Sequence, residues 1–334
     1  MEKGEIRQNK ITKQWVIYAP SRCRRPNEFQ QIERRKDTLP EFDPDCPFCP
    51  GNEEKLPSII SQIPGDGDRW KTRTVPNKYP ALIPEGDTEQ VKRGIYVTMP
   101  GYGKHEVIIE TPYHNRDIPG MTEGEVRTII ETYHECYLRN IKEHSRMMVI
   151  IFRNHGERAG TSLPHPHSQL IATGIIPQYV RWREEEAHRY YEENGSCVFC
   201  DVLDFEKSEM KRVIYENDSF LAFVPFFAEV PFEVWIMPRK HKSNFVFIDE
   251  NEKDELAAAI REVLKRICNL LNDPDYNYVI HTSSSNIMDK PYLHWYLQIL
   301  PRLTTRAGFE IGSGIYINPS IPEQDAEFLN SERS

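Results

Sequence analysis

Two rhythms of apolar residues run through this chain. Val126, Ile129, Ile130, Tyr133, Tyr137 and Ile141 recur at three- and four-residue spacing, and so do Leu256, Ile260, Val263, Ile267 and Leu271. That is the period of a helix that buries one face. Each stretch opens on a capping signature, Thr122 with Glu125 and Asp249 with Glu252, in which the two side chains satisfy each other's exposed backbone donors. Short apolar runs surround the helices and read as buried strands: Val107–Glu110, Met148–Phe152 and Ser168–Ala172 in the first half, Val234–Met237, Tyr276–Ile280 and Trp295–Leu300 in the second. Their β-branched and aromatic content fits a pleated, half-buried surface.

The two halves carry the same order of signals. Cys46-Pro-Phe-Cys49, His114 and His165-Pro-His167-Ser-Gln169 are answered by Cys197-Val-Phe-Cys200, His241 and His294-Trp-Tyr-Leu-Gln298. Fifty-one residues separate His114 from His165, and fifty-three separate His241 from His294. One structural unit used twice is the expectation. Strands, one helix and further strands in each unit predict an α+β fold with a mainly antiparallel sheet and a pseudo-twofold repeat. The boundaries read as 1–177 for the first half, 178–196 for a polar connecting helix closed at Asn194-Gly195, 197–305 for the second half, and 306–334 for an extended C-terminal arm with a frayed end.

Bulk composition narrows the function classes. The net charge of −9 argues against a duplex nucleic-acid binder, which needs a basic surface. No apolar stretch reaches the roughly 18–20 residues of a membrane span. The polar start Met1-Glu2-Lys3-Gly4-Glu5 lacks a signal-peptide core, so the expected location is the cytoplasm. Seven cysteines, an odd number in a reducing compartment, do not read as a disulfide framework.

Four of those cysteines form the two C-x-x-C pairs. Zinc takes four tetrahedral ligands, commonly Cys and His. Cys46, Cys49, His114 and His165 make one candidate set; Cys197, Cys200, His241 and His294 make the other. Both sets are complete without water, so both zinc sites read as structural. The competing reading, cysteines as small buried hydrophobes, does not account for the matched histidines.

His167 is the candidate nucleophile. A neutral imidazole attacks phosphorus readily near its unperturbed pKa of about 6.5. Residues two apart on a strand face the same side, so a metal on His165 anchors the strand that presents His167. Gln169 shares that side and offers an amide to a phosphoryl oxygen. Ser162 and Asn154 can do likewise, and Gly156 and Gly160 let backbone amides come close. Gln169 cannot act as an acid. That fits exchange between phosphate esters, whose leaving oxygens need no proton, better than hydrolysis.

The segment from Asn154 to Gln169, with its His-Pro-His-x-Gln core, resembles the galactose-1-phosphate uridylyltransferase family, a branch of the histidine-triad superfamily. The likeness spans about residues 5–320. It implies two fused histidine-triad-like halves, with His167 as nucleophile, Gln169 and Ser162 on phosphate, and Cys46, Cys49, His114 and His165 on zinc. The second half has Tyr296 in the nucleophile's place. The resemblance further implies Asn77 at the ribose, Arg22 and Arg25 as phosphate contacts, and Phe309 and Glu310 as sugar contacts. It implies a homodimer in which the C-terminal segment of one subunit serves the other's substrate.

The reaction it implies is ping-pong exchange of a nucleoside monophosphate between a nucleotide sugar and a sugar 1-phosphate or phosphate. Uridylyl transfer between UDP-glucose and galactose 1-phosphate comes first. Tyr316, the stretch Gly308–Pro319 and Pro231–Trp235 resemble a plant branch that transfers adenylyl groups from ADP-glucose or adenylylsulfate, which is the alternative. A dinucleotide hydrolase ranks third, ahead of a zinc-stabilised binding module without catalysis.

Overall fold

A computed structural model describes residues 4–22, 39–67, 69–86, 88–143 and 147–331. Its centre is one ten-stranded sheet, not two separate ones. The first half supplies β3 (Ser61–Pro64), β4 (Trp70–Pro76), β7 (Gly103–Ile109), β8 (Met148–His155) and β9 (His167–Thr173). The second supplies β10 (Val213–Glu216), β11 (Phe220–Phe223), β12 (Val234–Pro238), β13 (Tyr276–His281) and β14 (Tyr296–Pro301).

Every neighbouring pair is antiparallel. Outward from the seam, the order β8-β9-β7-β4-β3 on one side mirrors β13-β14-β12-β11-β10 on the other. Gln169 pairs with Phe152, Gln298 pairs with Val279, and Phe152 pairs with Val279 across the seam. The pseudo-twofold therefore passes through that last pair.

One face of the sheet is closed by α1 (Glu123–Glu143) and α4 (Glu250–Leu270), which lie against each other. Both expected capping boxes form: Glu125 accepts from the Thr122 amide at 2.8 Å, and Asp249 accepts from the Glu252 amide at 3.0 Å. Ile129, Ile130, Tyr133, Leu256, Ile260 and Val263 bury against Ile108, Ile151, Leu170, Ile236, Ile280 and Leu297. Each such aliphatic side chain contributes on the order of 2 kcal/mol by leaving water.

The opposite face differs between the halves. In the second half it is covered by α2 (Gln178–Asn194) and α3 (Val198–Glu209), which pack Ala187, Phe199 and Leu203 onto Leu221, Trp235 and Tyr296. The connecting helix ends where Gly195 takes a φ of 73° and bonds back to Tyr191. In the first half no described helix covers this face. The loop around Cys46 and Phe48 packs at one end, on Val75, Val107 and Ile109, and the Ala81 amide reaches His105 farther along β7.

The C-terminal segment departs from the expected extended arm. It holds α5 (Gly308–Ser313), β15 (Tyr316–Asn318) and α6 (Pro322–Leu329). β15 runs parallel to β2 (Trp15–Tyr18), which pairs with β1 (Glu5–Gln8). Ala326 and Leu329 plug into the main core, an apolar stripe too short to stand out in a polar helix. No helix among the described residues is long and apolar enough to cross a membrane.

Candidate active site and metal centres

The first C-x-x-C pair closes a tight turn, the Cys49 amide bonding to the Cys46 carbonyl at 3.3 Å, and Asn52 holds that same carbonyl at 2.7 Å. This brings Cys46, Cys49, His114 and His165 together, all buried, with ligand atoms within 4.8 Å of one another. The sulfur-to-Nδ1 separations are 3.7 Å for Cys46–His165, 3.5 Å for Cys49–His114 and 3.6 Å for Cys49–His165. A tetrahedral ion with sulfur at about 2.3 Å and nitrogen at about 2.0 Å requires an edge of about 3.5 Å. The four donors therefore fit a metal ion as they stand. His165 Nε2–H donates to the Thr111 carbonyl at 2.8 Å, which leaves Nδ1 with its lone pair toward the ion. Burial also lowers the His165 pKa, to about 4.

The second set repeats the arrangement. Cys200 Sγ lies 3.3 Å from His241 Nδ1 and 3.6 Å from His294 Nδ1, and His294 Nε2 faces the Pro238 carbonyl at 3.1 Å. These donors also lie within 4.8 Å of each other, with His241 exposed and Cys200 partly so. Both sets could hold a metal ion.

Two residues past His165, the chain enters β9 at His167. The imidazole Nδ1–H donates to the His165 carbonyl at 2.8 Å. Nε2 is thereby the unprotonated nitrogen. Phe48 sits against both rings, 5.9 Å from His165 and 5.3 Å from His167. Burial lowers the His167 pKa, so the ring is neutral at pH 7 and able to attack an electrophile. It faces a cavity of about 610 Å³ that also contains Asn77, Asn154, Gly160, Ser162 and Gln169. Five residues singled out from the sequence thus meet His167 in one place. Phe48, Leu56, Pro57 and Val75 supply apolar lining in the same cavity.

Asn154 and Gln169 are each aimed by a partner. Asn154 Oδ1 accepts from Asn277 Nδ2 at 2.8 Å, and Asn277 Oδ1 accepts from Arg302 Nε. This turns the Asn154 amide hydrogens toward the cavity, and the residue that does so comes from the other half of the chain. Gly156 precedes the loop with a φ of 90°, where a Cβ would collide with the Asp275 carboxylate. Gln169 Oε1 lies 2.7 Å from His105 Nε2. Neither Asn277 nor His105 stands out in the sequence, since a lone Asn or His carries no spacing signal.

Behind β9, Ser168 points to the helix side. Its hydroxyl donates to Glu110, which also accepts from Tyr133 at 2.8 Å and pairs with buried Arg153 at 3.1 Å. Arg153 reaches Asp117, and Asp117 holds His155 Nδ1 at 2.7 Å. Burial works against the His155 charge, but Asp117 outweighs it and raises the pKa to about 9. For Asp117, burial is overcome by Arg153 and His155, which hold the carboxyl well below its usual range.

The mate of this site across the pseudo-twofold is filled. Tyr296 stands at the position of His167 and is stacked between Trp235, 4.1 Å away, and His281, 4.7 Å away. Arg22, Phe309 and Glu310 do not line the His167 cavity of their own chain. Arg22 ends an exposed turn, Pro20–Arg22, away from the cavity lining. Arg25 lies outside the described residues. Phe309 is exposed on α5, and Glu310 caps that helix through the Ala307 amide at 3.0 Å.

The family model for the N-terminal domain of galactose-1-phosphate uridyl transferase matches residues 1–177, and that for the C-terminal domain matches 183–331. An ADP-glucose phosphorylase of Arabidopsis thaliana is 36% identical over 98% of this chain and 93% of its own. A galactose-1-phosphate uridylyltransferase of Thermotoga maritima is 29% identical over 97% of both. The crystal structure of an Arabidopsis ADP-glucose phosphorylase with bound ADP-glucose superposes with a TM-score of 0.85 at 33% identity, covering 98% of each chain. By these matches the chain belongs to the galactose-1-phosphate uridylyltransferase family of nucleotidyltransferases.

Proposed function

We propose that this protein transfers a nucleoside monophosphate from a nucleotide sugar to a phosphate-bearing acceptor through a covalent intermediate on His167. The observation that carries the proposal is the bond from His167 Nδ1–H to the His165 carbonyl, which leaves a neutral Nε2 facing the cavity. The Nε2 lone pair attacks the α-phosphorus, and the bond from phosphorus to the sugar-phosphate oxygen breaks, that oxygen leaving with the electron pair. The ring, now bonded at Nε2 and protonated at Nδ1, is cationic, and the His165 carbonyl strengthens its hold on that proton. Asn154, Ser162 and Gln169 donate to the non-bridging oxygens, whose charge dominates such a transfer. An acceptor phosphate oxygen then attacks the same phosphorus, the P–N bond breaks, and neutral His167 returns.

ADP-glucose with inorganic phosphate is the leading pair, supported by the 36% identity and the 0.85 TM-score to the Arabidopsis enzyme. Exchange between UDP-glucose and galactose 1-phosphate is the second, supported by the family's name and by the 29% identical Thermotoga enzyme. The metal in both sites is taken as zinc and as structural, since the donor sets are Cys2His2 and leave no open position. A homodimer goes with this reading: Phe309 and Glu310 miss their own cavity, so a sugar-binding role needs a second copy. The cytoplasm goes with this reading, since thiolate donor sets such as these persist in a reducing compartment.

The test is incubation with base-labelled ADP-glucose and UDP-glucose, each without acceptor. An acid-labile label on wild type, absent from His167→Ala, is expected. Its discharge by phosphate or by hexose 1-phosphate then names the acceptor. Label retained by His167→Ala refutes the mechanism.

A further inference from the structure

We infer that His105 is a positioning residue that holds Gln169 in the one amide orientation able to serve a phosphate; the inference rests on the transfer role proposed for this cavity. His105 stands on β7, and Val107, two residues on, pairs with Gln169 on β9. Its Nδ1 accepts from the Ala81 backbone amide at 3.1 Å. A backbone N–H is a donor only, so Nδ1 must carry the lone pair and the neutral ring must carry its proton on Nε2. Two atoms lie within reach of that proton: Gln169 Oε1 at 2.7 Å and Asn77 Nδ2 at 3.2 Å. Asn77 already accepts through Oδ1 from the Tyr79 amide at 2.9 Å, so its nitrogen is correctly placed and cannot accept. The proton therefore goes to Gln169. A reversed Gln169 would set its amide nitrogen against an imidazole N–H, donor against donor. The Gln169 oxygen is thus fixed inward, and both amide hydrogens are left for the cavity; no described residue engages them.

The second half shows the opposite outcome at the same position. Glu233 stands two residues before Trp235, which pairs with Gln298, as His105 stands two before Val107. A carboxylate accepts where an imidazole N–H donates. Glu233 takes the Gln298 amide hydrogen at 2.7 Å, and His281 Nε2 reaches the Gln298 oxygen at 2.7 Å. Both ends of Gln298 are occupied. The residue at this strand position decides whether the glutamine's amide hydrogens stay free, and only the half with histidine there keeps them available.

The experiment is single-turnover formation of the His167 adduct in wild type, His105→Phe, Gln169→Ala and the double variant, with melting temperature as a control. His105→Phe and Gln169→Ala are each expected to slow the adduct about tenfold, the worth of one oriented hydrogen bond. The double variant should be no slower than Gln169→Ala, because the two substitutions remove one interaction. His105→Gln, whose terminal amide can donate to Gln169, should recover most of the rate. A wild-type rate in His105→Phe, or losses that multiply in the double variant, would overturn the inference. A wild type that never labels overturns the transfer reading itself, and this one with it.

Discussion

His165 touches His167 through its backbone, not its side chain: the His165 carbonyl accepts the His167 Nδ1 proton at 2.8 Å while the His165 ring faces Cys46 and Cys49. A single residue thus joins the metal centre to the nucleophile's tautomer. A metal bound there would hold the side chain, the side chain holds the backbone, and the backbone carbonyl chooses which ring nitrogen is free.

From that linkage, removal of a ligand to the first ion should damage chemistry that the ion does not perform. Cys46→Ala is expected to lose one metal equivalent per chain and to form the His167 adduct at least about tenfold more slowly. Native mass spectrometry and single-turnover labelling measure the two effects. A variant with one fewer metal and an undiminished labelling rate would separate the site from the nucleophile.

Asn277 lies in the second half yet orients Asn154 in the first. Asn277→Ala should lower the adduct-forming rate about tenfold, the cost of an unaligned amide, with a smaller change in donor KM. The measurement is kcat and KM for the donor. A change confined to KM would mean that Asn154 acts in ground-state binding alone.

Tyr296 occupies the nucleophile's place between Trp235 and His281. Tyr296→His therefore creates an imidazole with no cavity to face. Labelling should remain at one nucleotidyl group per chain, and Tyr296→His combined with His167→Ala should take up none. Uptake by the combined variant would show that the second half still admits a nucleotide.

The buried His155–Asp117 pair gives a signed pH dependence. His155 has its pKa raised to about 9, against about 6.5 unfolded. Its contribution is complete below pH 6.5 and is lost as pH rises through 9, a change on the order of 3 kcal/mol. Asp117 runs the other way: its carboxyl is held low, so its contribution is present above its unfolded pKa and fades as pH falls well below it. Urea denaturation of wild type and His155→Gln at pH 6.5 and 9.5 should show the gap between them closing at the higher pH. An equal gap at both pH values would remove His155 as the titrating group.

Much of this was readable in the linear chain. Helical spacing and capping boxes located α1 and α4 because those signals are local and set by a few neighbouring residues. The paired Cys and His motifs announced two metal sites and a repeat, because tetrahedral ligation constrains both residue type and spacing. His167 followed from its place two residues past a ligand. The helices of the C-terminal segment were not readable, since their short polar sequences gain their fold by docking Ala326 and Leu329 into a core built elsewhere.

Other properties exist only once distant strands are side by side. The merging of two sheets into one arises because β8 and β13 pair across the seam, a hydrogen-bonded edge that no side-chain pattern records. That pairing places Asn277 beside Asn154, and the pairing of β7 with β9 places His105 beside Gln169. The candidate chemistry was written in residue types, but which amide hydrogens face the His167 cavity, and in which half, depends on contacts between residues 64 and 123 positions apart. Hydrogen bonds are directional and short, so such contacts come into being only when folding fixes both partners.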